Sequence, residues 1–213
     1  MSGSFILCDR DQEILVALTQ KVRVLGLRQI AEHWYAGDRA NTRRRMRILT
    51  AVGLLARATV MARPLPVLLT PVAAWKPGES TPDAGVISHR LKSRWRYRPT
   101  RSCRVVLATP RAAQLLGSRA TGELTRATQS SHDLGVAAVW LHFDRTDPDR
   151  AAAWRGEDVM AHTRRGEKCP DAFLVNALGD VQSVVEFGGD YAADRVRAFQ
   201  LDCVDRRLPY EIW

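Results

Sequence analysis

The stretch that decides the fold of the N-terminal half is Ala40-Asn41-Thr42-Arg43-Arg44-Arg45-Met46-Arg47-Ile48-Leu49-Thr50-Ala51-Val52-Gly53-Leu54-Leu55. Asn41 suits a helix N-cap, because its side chain can accept hydrogen bonds from the unpaired amides of the first turn. At about 100° per residue, the apolar residues of the second half fall on one stripe, nearly opposite Arg43 and Arg47. Arg45 falls inside that stripe, so we expect it to lie on a frayed turn or to reach a phosphate or an acidic neighbour. The stretch predicts a helix with a cationic leading end that is suited to a DNA groove.

Two shorter helices are predicted before this one. Asp9 can cap the first, and an i, i+3, i+4, i+7 apolar stripe over 27–34 predicts the second, which ends near Gly37. Three short helices of which the third is basic are typical of a helix-turn-helix. The segments 57–61 and 67–70 read as two strands after the third helix. Together these elements predict a winged helix-turn-helix.

Positive charge is concentrated in the first half of the chain. Among 213 residues the net charge is +9, but residues 1–104 hold 19 Lys and Arg against 7 Asp and Glu, whereas 105–213 hold 13 against 16. Arginine, whose planar fork suits bidentate contact with phosphate, supplies most of the excess. The asymmetry predicts a basic module that meets a polyanion, joined to a more neutral module with another role.

Cysteine spacing and hydropathy indicate the compartment. No stretch approaches the roughly 20 continuous apolar residues that a membrane span needs, and the first residues lack the pattern of a secretory signal. Cys8, Cys103, Cys169 and Cys203 show no CxxC spacing, which argues against a zinc site or a disulfide framework. We therefore expect a cytoplasmic protein with reduced thiols, no membrane partner and no cofactor.

A second cationic segment lies at 90–104, after a proline-rich stretch at 71–82 that reads as a loop or linker. Alternation predicts a strand with Trp95 and Tyr97 on one face. This strand is either a phosphate-tracking strip with aromatics that wedge or stack, or a half-buried edge strand protected by its charges. The arginines expected on its other face are Arg94, Arg96 and Arg98.

The remaining elements predict a small α/β domain. A strand at 103–108 is expected to complete the wing, with 71–100 inserted before it, and Thr109 caps a helix that ends near Gly117. We therefore divide the chain into a winged-helix domain, 1–117, with a basic insertion near 71–104, and a second domain, 118–213. The expected elements of the second are helices at 131–143, 148–160 and 192–206 and strands at 172–178, 181–187 and 208–213.

Three acidic residues of the second half are candidate catalytic groups: Glu157, Asp171 and Glu186. In nucleases of the PD-(D/E)xK type, carboxylates placed like Asp171 and Glu186 hold Mg²⁺, and a lysine two residues after the glutamate positions water. Here that lysine position is Gly188. The alternative is an ordinary hairpin with acids at its ends. We expect His132 to anchor a helix rather than to catalyse, and the sources for a displaced cation are Lys168, Arg195 and Arg197.

The order of these motifs resembles the replication–relaxation family of plasmid and mobile-element proteins. The resemblance rests on residues 9–15, the arginine-rich helix ending at Leu55, 107–116, 131–134, 154–157, Pro170-Asp171 and 185–187. It implies an α/β (α+β) protein in which a winged helix-turn-helix precedes a restriction-endonuclease-like α/β domain. The insertion near 71–100 and Gly188 depart from that family's pattern.

Three functions follow as hypotheses. The first is a non-catalytic accessory or regulator of plasmid replication or conjugation that binds double-stranded DNA. The second is a metal-dependent nuclease that uses Mg²⁺, and the third is an adaptor that recruits a relaxase or replication protein. A homodimer on a symmetric DNA site is a further expectation. The residues expected to contact DNA are Asn41, Thr42, Arg43, Arg44, Arg45, Arg47, Arg57, Arg63, Arg94, Arg96 and Arg98.

Overall fold

Helices dominate the first fifty residues. The computed structural model describes residues 6–118, 129–161 and 169–213, which form a mixed α/β protein with two β-sheets. The three helices predicted around the arginine-rich stretch are confirmed. They are α1 (Asp9–Val16), which continues into a π-helical turn (Ala17–Lys21), α2 (Leu27–Trp34) and α3 (Arg39–Ala51), with the short strand β1 (Leu25–Gly26) between the first two.

The turn between α2 and α3 sets where α3 begins. Gly37 ends α2 as predicted: its φ is +84°, and its N–H donates to the carbonyl of Ala31 (2.8 Å). The predicted cap at Asn41 is wrong, because the Asp38 carboxylate accepts the N–H groups of Ala40 (3.0 Å) and Asn41 (2.9 Å). The helix therefore starts earlier and includes Arg39. The N-cap of α1 is likewise one residue earlier than Asp9, at Cys8.

The first sheet has the strand order β1-β4-β2. Strand β2 (Leu55–Ala62) pairs antiparallel with β4 (Arg101–Ala108) from Leu55↔Ala108 to Ala62↔Arg101. This confirms the strand predicted before Thr109 and shows that it pairs with β2 across an intervening segment, residues 63–100. The predicted partner at 67–70 is wrong, since those residues are not a strand. Prolines at 64, 66 and 71 have no N–H to donate to a ladder, and β4 takes the pairing position instead.

The second sheet has the order β3-β8-β7-β6-β5. Strand β3 (Ala73–Trp75), inside the predicted loop 71–82, pairs antiparallel with β8 (Tyr210–Ile212). Strand β8 runs parallel to β7 (Val181–Glu186), which pairs antiparallel with β6 (Ala172–Val175). The hairpin predicted at 172–187 and the docked C-terminal strand are both confirmed.

A short strand interrupts the helix predicted at 148–160. The chain forms α7 (Pro148–Ala153), β5 (Trp154–Gly156) and α8 (Glu157–Met160). The Lys21 amine ends α7 by donating to the carbonyls of Ala151, Ala152 and Trp154 (3.1, 2.8 and 2.8 Å). Gly156 lies so close to this turn that an added Cβ would be 2.5 Å from the Lys21 carbonyl oxygen.

The cationic segment predicted as a strand is a helix instead. Helix α4 (Ala84–Trp95) is capped by Asp83, and its buried residues recur at helical spacing and face α9 (Ala193–Asp205). Trp95 is 6% exposed whereas Tyr97 is 92% exposed, so the two aromatics do not share a face. The helical spacing of apolar residues over 84–95 therefore outweighs the short alternation of arginines and aromatics over 94–98.

One continuous core joins the two halves of the chain. Ile14 and Val106 belong to the same buried cluster as Trp154, Phe187 and Trp213. Strand β3 and helix α4, from the predicted insertion at 71–104, pack with the C-terminal elements. Helix α5 (Pro110–Leu115), capped by the Thr109 hydroxyl, and helix α6 (Ser130–Thr146) lie where helices were predicted.

Candidate functional site

The outward face of α3 carries a stripe of arginines. Arg39, Arg43 and Arg47 are spaced by four residues and exposed, while Met46 and Leu49 on the opposite face are buried. Like charges at this spacing repel one another, and cations near a helix N-terminus also oppose the helix dipole. The stripe therefore concentrates positive potential at the leading end of α3.

A groove between the α2–α3 pair and strand β4 extends this positive surface. Among the described residues that line it, Glu32 is the one acid, and it is paired with Arg28 at 2.6 Å. Four lining arginines, Arg39, Arg43, Arg101 and Arg104, have no carboxylate within ion-pair distance in the described part of the chain. The full set of lining arginines is Arg28, Arg39, Arg43, Arg63, Arg101 and Arg104. We call this groove the arginine groove.

Two residues of α3 expected to contact DNA have structural roles instead. Thr42 is 1% exposed and donates its hydroxyl to the Asp38 carbonyl (2.7 Å), so it is closed to a phosphate. Arg45 reaches back to α1, where it forms a bidentate ion pair with Asp11, a residue that is 0% exposed. The acidic-neighbour alternative for Arg45 is thus confirmed.

Other predicted DNA contacts differ in how free their side chains are. Arg98 donates to the carbonyls of Pro64 (3.3 Å) and Leu65 (2.8 Å), which fixes it within the protein. Arg63 lines the arginine groove and pairs with Asp190 at 3.3 Å. Arg94 is half-buried, and burial lowers its pKa. The predicted contacts that remain exposed or half-exposed are Asn41, Arg43, Arg44, Arg47, Arg57 and Arg96.

The predicted metal carboxylates meet in a polar cluster beneath the second sheet. Asp171 Oδ2 accepts the N–H of Phe187 (2.7 Å) and lies 3.3 Å from His132 Nε2. Glu186 Oε2 accepts the N–H of Asp171 (3.2 Å), and its Oε1 accepts the hydroxyl of Tyr191 (2.6 Å). The sequence therefore predicted correctly that Asp171 and Glu186 lie in one site. It did not predict Tyr191, whose hydroxyl lies between Glu186 and His132.

Burial and neighbouring charge determine protonation in this cluster. Burial, followed by the nearby Asp171 carboxylate, raises the pKa of Glu186 to about 8. Burial opposes a charged His132, but the carboxylates of Asp171, Asp133 and Glu186 together outweigh it and raise the histidine pKa well above its usual range. The arrangement is thus a histidine beside two carboxylates, of which the Glu186 carboxylate is buried and accepts the Tyr191 hydroxyl. His132 also packs edge-on against Phe187, with ring centroids 5.8 Å apart.

The third predicted acid, Glu157, faces a different partner. Arg23 Nη2 lies 3.4 Å from Glu157 Oε2, and the same guanidinium binds Asp158 and lies 3.6 Å from Asp133. These contacts raise the pKa of Arg23, chiefly through the hydrogen bond to Asp158. A fixed internal cation therefore occupies the space between the acids of this cleft. Arg23 carries no local sequence signal, since its partners lie more than a hundred residues away.

The position of the nuclease lysine is sterically closed. A Cβ at Gly188 would be 2.5 Å from a methyl group of Leu91, which is itself 1% exposed. Of the displaced cations, Arg195 donates to the Tyr191 hydroxyl (2.6 Å) and Arg197 pairs with Asp194 at the surface, while Lys168 lies outside the described residues. Over the described ranges, no group of three His, Cys, Asp or Glu side chains is arranged to hold a metal ion.

Comparison with protein-family models, with curated proteins and with solved structures finds no match for this chain. The resemblance to the replication–relaxation family is thus carried by the quoted motifs alone. In the described part of the chain, no helix has the length and apolar character needed to cross a membrane.

Proposed function

We propose that this chain is a non-catalytic accessory or regulatory protein that binds double-stranded DNA in the replication or transfer of a plasmid or other mobile element. The observation that carries the proposal is the arginine groove beside α3, in which four guanidinium groups have no carboxylate partner among the described residues. The plasmid context comes from the sequence resemblance, and the cytoplasmic location is the expectation from cysteine spacing and hydropathy.

We assign the DNA-reading unit to a winged helix-turn-helix. Helices α2 and α3 follow α1 and β1, and the antiparallel strands β2 and β4 lie on the other side of the groove from α3. In this assignment the outward residues of α3, Arg43 and Arg47, approach base edges. Arg39, which the sequence did not single out, and Arg101 and Arg104, from the cationic segment 90–104, join Arg63 in holding phosphates.

Repulsion among the arginines of the unbound protein favours binding of an anionic partner. Arginines at i, i+4 spacing repel by about 0.2–0.5 kcal/mol per pair in an isolated helix, and the helix dipole adds to the penalty at the N-terminus. Phosphates relieve both terms and release counterions on binding. The charge distribution therefore supports DNA binding more directly than the net charge does.

The proposal predicts that Arg43→Ala with Arg47→Ala weakens binding to a DNA fragment selected from a plasmid library. The expected loss is about 1–3 kcal/mol per base contact, measured by titration at fixed salt. Lys76→Ala with Arg197→Ala is the matched control, since it removes the same charge from exposed positions elsewhere. Equal affinities of the two double variants would reject α3 as the reading helix.

The nuclease alternative, with Mg²⁺ held by Asp171 and Glu186, has weaker support. Glu186 is 6% exposed, both carboxylates are engaged with neighbouring groups, and Leu91 fills the lysine position. Plasmid cleavage that requires Mg²⁺ or Mn²⁺ and disappears in Asp171→Ala would establish this alternative. For the adaptor hypothesis, in which a relaxase, replication protein or second copy docks on the chain, the described residues offer no specific surface.

A further inference from the structure

The turn after α4 holds a tyrosine out into solvent. Tyr97 is 92% exposed, and its φ of +59° is uncommon for a residue with a side chain. Arg96 has φ −57° and ψ 132°, and the N–H of Arg98 donates to the Trp95 carbonyl (3.2 Å). Residues 95–98 therefore form a type II turn with Tyr97 at the position that favours glycine.

Both ends of this turn are fixed to the body of the protein. The Trp95 indole N–H donates to the carbonyl of Gly189 (2.7 Å), and Arg98 donates to the carbonyl of Leu65 (2.8 Å). The Tyr97 hydroxyl itself has no hydrogen-bond partner within the described residues. The backbone at Tyr97 is thus held in an uncommon conformation while its ring is 92% exposed, and such strained backbone positions cluster at functional sites.

The same turn lies at the margin of the arginine groove. Pro64 and Leu65, whose carbonyls accept from Arg98, line that groove, as does Arg101 at the start of β4. The exposed Arg96 precedes Tyr97 directly. An aromatic ring and a cation therefore stand together beside the surface that we assign to phosphates.

We propose that Tyr97 stacks on an unpaired base, and that the DNA bound by this protein has a single-stranded or unstacked segment next to a duplex. This inference rests on the proposed function, because the duplex is held in the arginine groove. A rigidly held ring can stack on any exposed base face, whereas insertion into an intact duplex must first unstack a base step. Because stacking does not depend on which base is present, it would raise the affinity for DNA in which a single-stranded segment adjoins a duplex. It would do so without new hydrogen bonds to the bases.

The test compares two probes, a short duplex and the same duplex with a single-stranded extension. Wild-type protein is expected to bind the extended probe more tightly. Tyr97→Gly should lose about 5- to 150-fold in affinity for the extended probe, the range that corresponds to loss of one base-stacking aromatic, and keep its affinity for the duplex. Tyr97→Phe should retain the preference because it keeps the ring.

Stability provides a second readout that a purely structural role would not give. Glycine adopts a φ of +59° without strain, so Tyr97→Gly should unfold at a slightly higher temperature while it binds the extended probe less tightly. A glycine variant that both unfolds earlier and loses all DNA binding would overturn the inference, since Tyr97 would then support the fold.

The remaining outcomes separate the two claims. Equal binding of both probes by wild type, unchanged in Tyr97→Gly, would reject the stacking role and leave the duplex proposal intact. Binding of neither probe would reject both. Val67 and Leu69 near this turn are 74% and 75% exposed, so anionic phospholipid vesicles are a third probe. Tyr97-dependent binding to vesicles with no preference for the extended DNA would reject stacking in favour of a lipid surface.

Discussion

Among single residues, Arg45 shows why an arginine can lie within an apolar stripe. Its guanidinium extends to the buried Asp11 carboxylate and also donates to the carbonyl of Ile6 (3.0 Å). The Asp11 carboxylate in turn accepts the N–H of Cys8 (3.0 Å), so it fixes the start of α1 as well. This ion pair ties α1 to α3 and thereby orients the arginine stripe of α3.

We predict that Asp11→Asn lowers the free energy of unfolding by about 1.5–3 kcal/mol at neutral pH, the typical value of hydrogen bonds to charged groups. Burial opposes ionisation of Asp11, but the hydrogen bonds from Arg45 and Cys8 outweigh it and lower its pKa. The stabilisation is thus complete above the ordinary aspartate pKa of about 3.9 and is lost as pH falls through the lowered value.

Urea unfolding at several pH values measures this difference. Glu32→Gln is the control, because it removes an exposed carboxylate paired with Arg28 and should change stability by less than about 1 kcal/mol. A pH-independent deficit in Asp11→Asn, or a deficit no larger than that of the control, would contradict the assigned role of the pair.

The sequence predicted some members of the polar cluster that Asp171, Glu186, His132 and Tyr191 form. Asp171 and Glu186 stood out because acids flank a predictable hairpin, and in the structure the Glu186 carboxylate accepts the backbone N–H of Asp171. Tyr191 and Arg23 gave no local signal, since a tyrosine after a strand and an arginine before one are ordinary. Their roles depend on groups brought close by the tertiary fold, which spacing along one chain does not encode.

Among the elements, α3 combines an unfavourable charge arrangement with a strong cap. Asp38 is the acid nearest its positive end, and its carboxylate accepts two backbone N–H groups. The cap and its charge offset part of the repulsion among the arginines of the stripe. The start of α3, and therefore the position of Arg39, depends on this residue.

We predict that Asp38→Ala lowers the free energy of unfolding by about 0.5–2 kcal/mol, the usual loss for an N-cap, with the midpoint of urea unfolding as the measurement. Asp38→Asn keeps an oxygen acceptor and removes only the charge, so its loss should be smaller. An alanine variant as stable as wild type would show that the first turn of α3 does not need the cap.

Helix α4 illustrates how a local pattern misleads. Arginines and aromatics alternate over 94–98, which indicated a strand, but the apolar residues from Ala84 to Trp95 follow a helical period over more than twice that length. Asp83 caps the helix, and α9 covers its apolar face. At the end of this helix Trp95 is buried against Phe187, whereas Tyr97 is exposed. The assignment of the element as a helix therefore decides which of the two aromatic residues is exposed.

At the scale of the whole molecule, local periodicity predicted most helices and the β6–β7 hairpin but not the sheets. The five-stranded sheet joins residues 73–75 to residues 210–212, and no property of either segment reveals that pairing. The core likewise crosses the predicted boundary at 117, because Trp154 and Trp213 pack in the same cluster as Ile14 and Leu49. Long-range contacts of this kind depend on the shape of the folded chain.

The central claim, that the arginine groove holds DNA phosphates, is tested most directly by the salt dependence of DNA affinity. For B-DNA the slope of log K against log salt concentration is about −0.9 per neutralised phosphate, so four to six groove arginines predict a slope of about −4 to −5. Arg39→Ala with Arg104→Ala should make the slope shallower by about 2, whereas Lys76→Ala with Arg197→Ala should leave it unchanged. Identical slopes for the two double variants, or affinity that does not vary with salt in the wild type, would contradict the account.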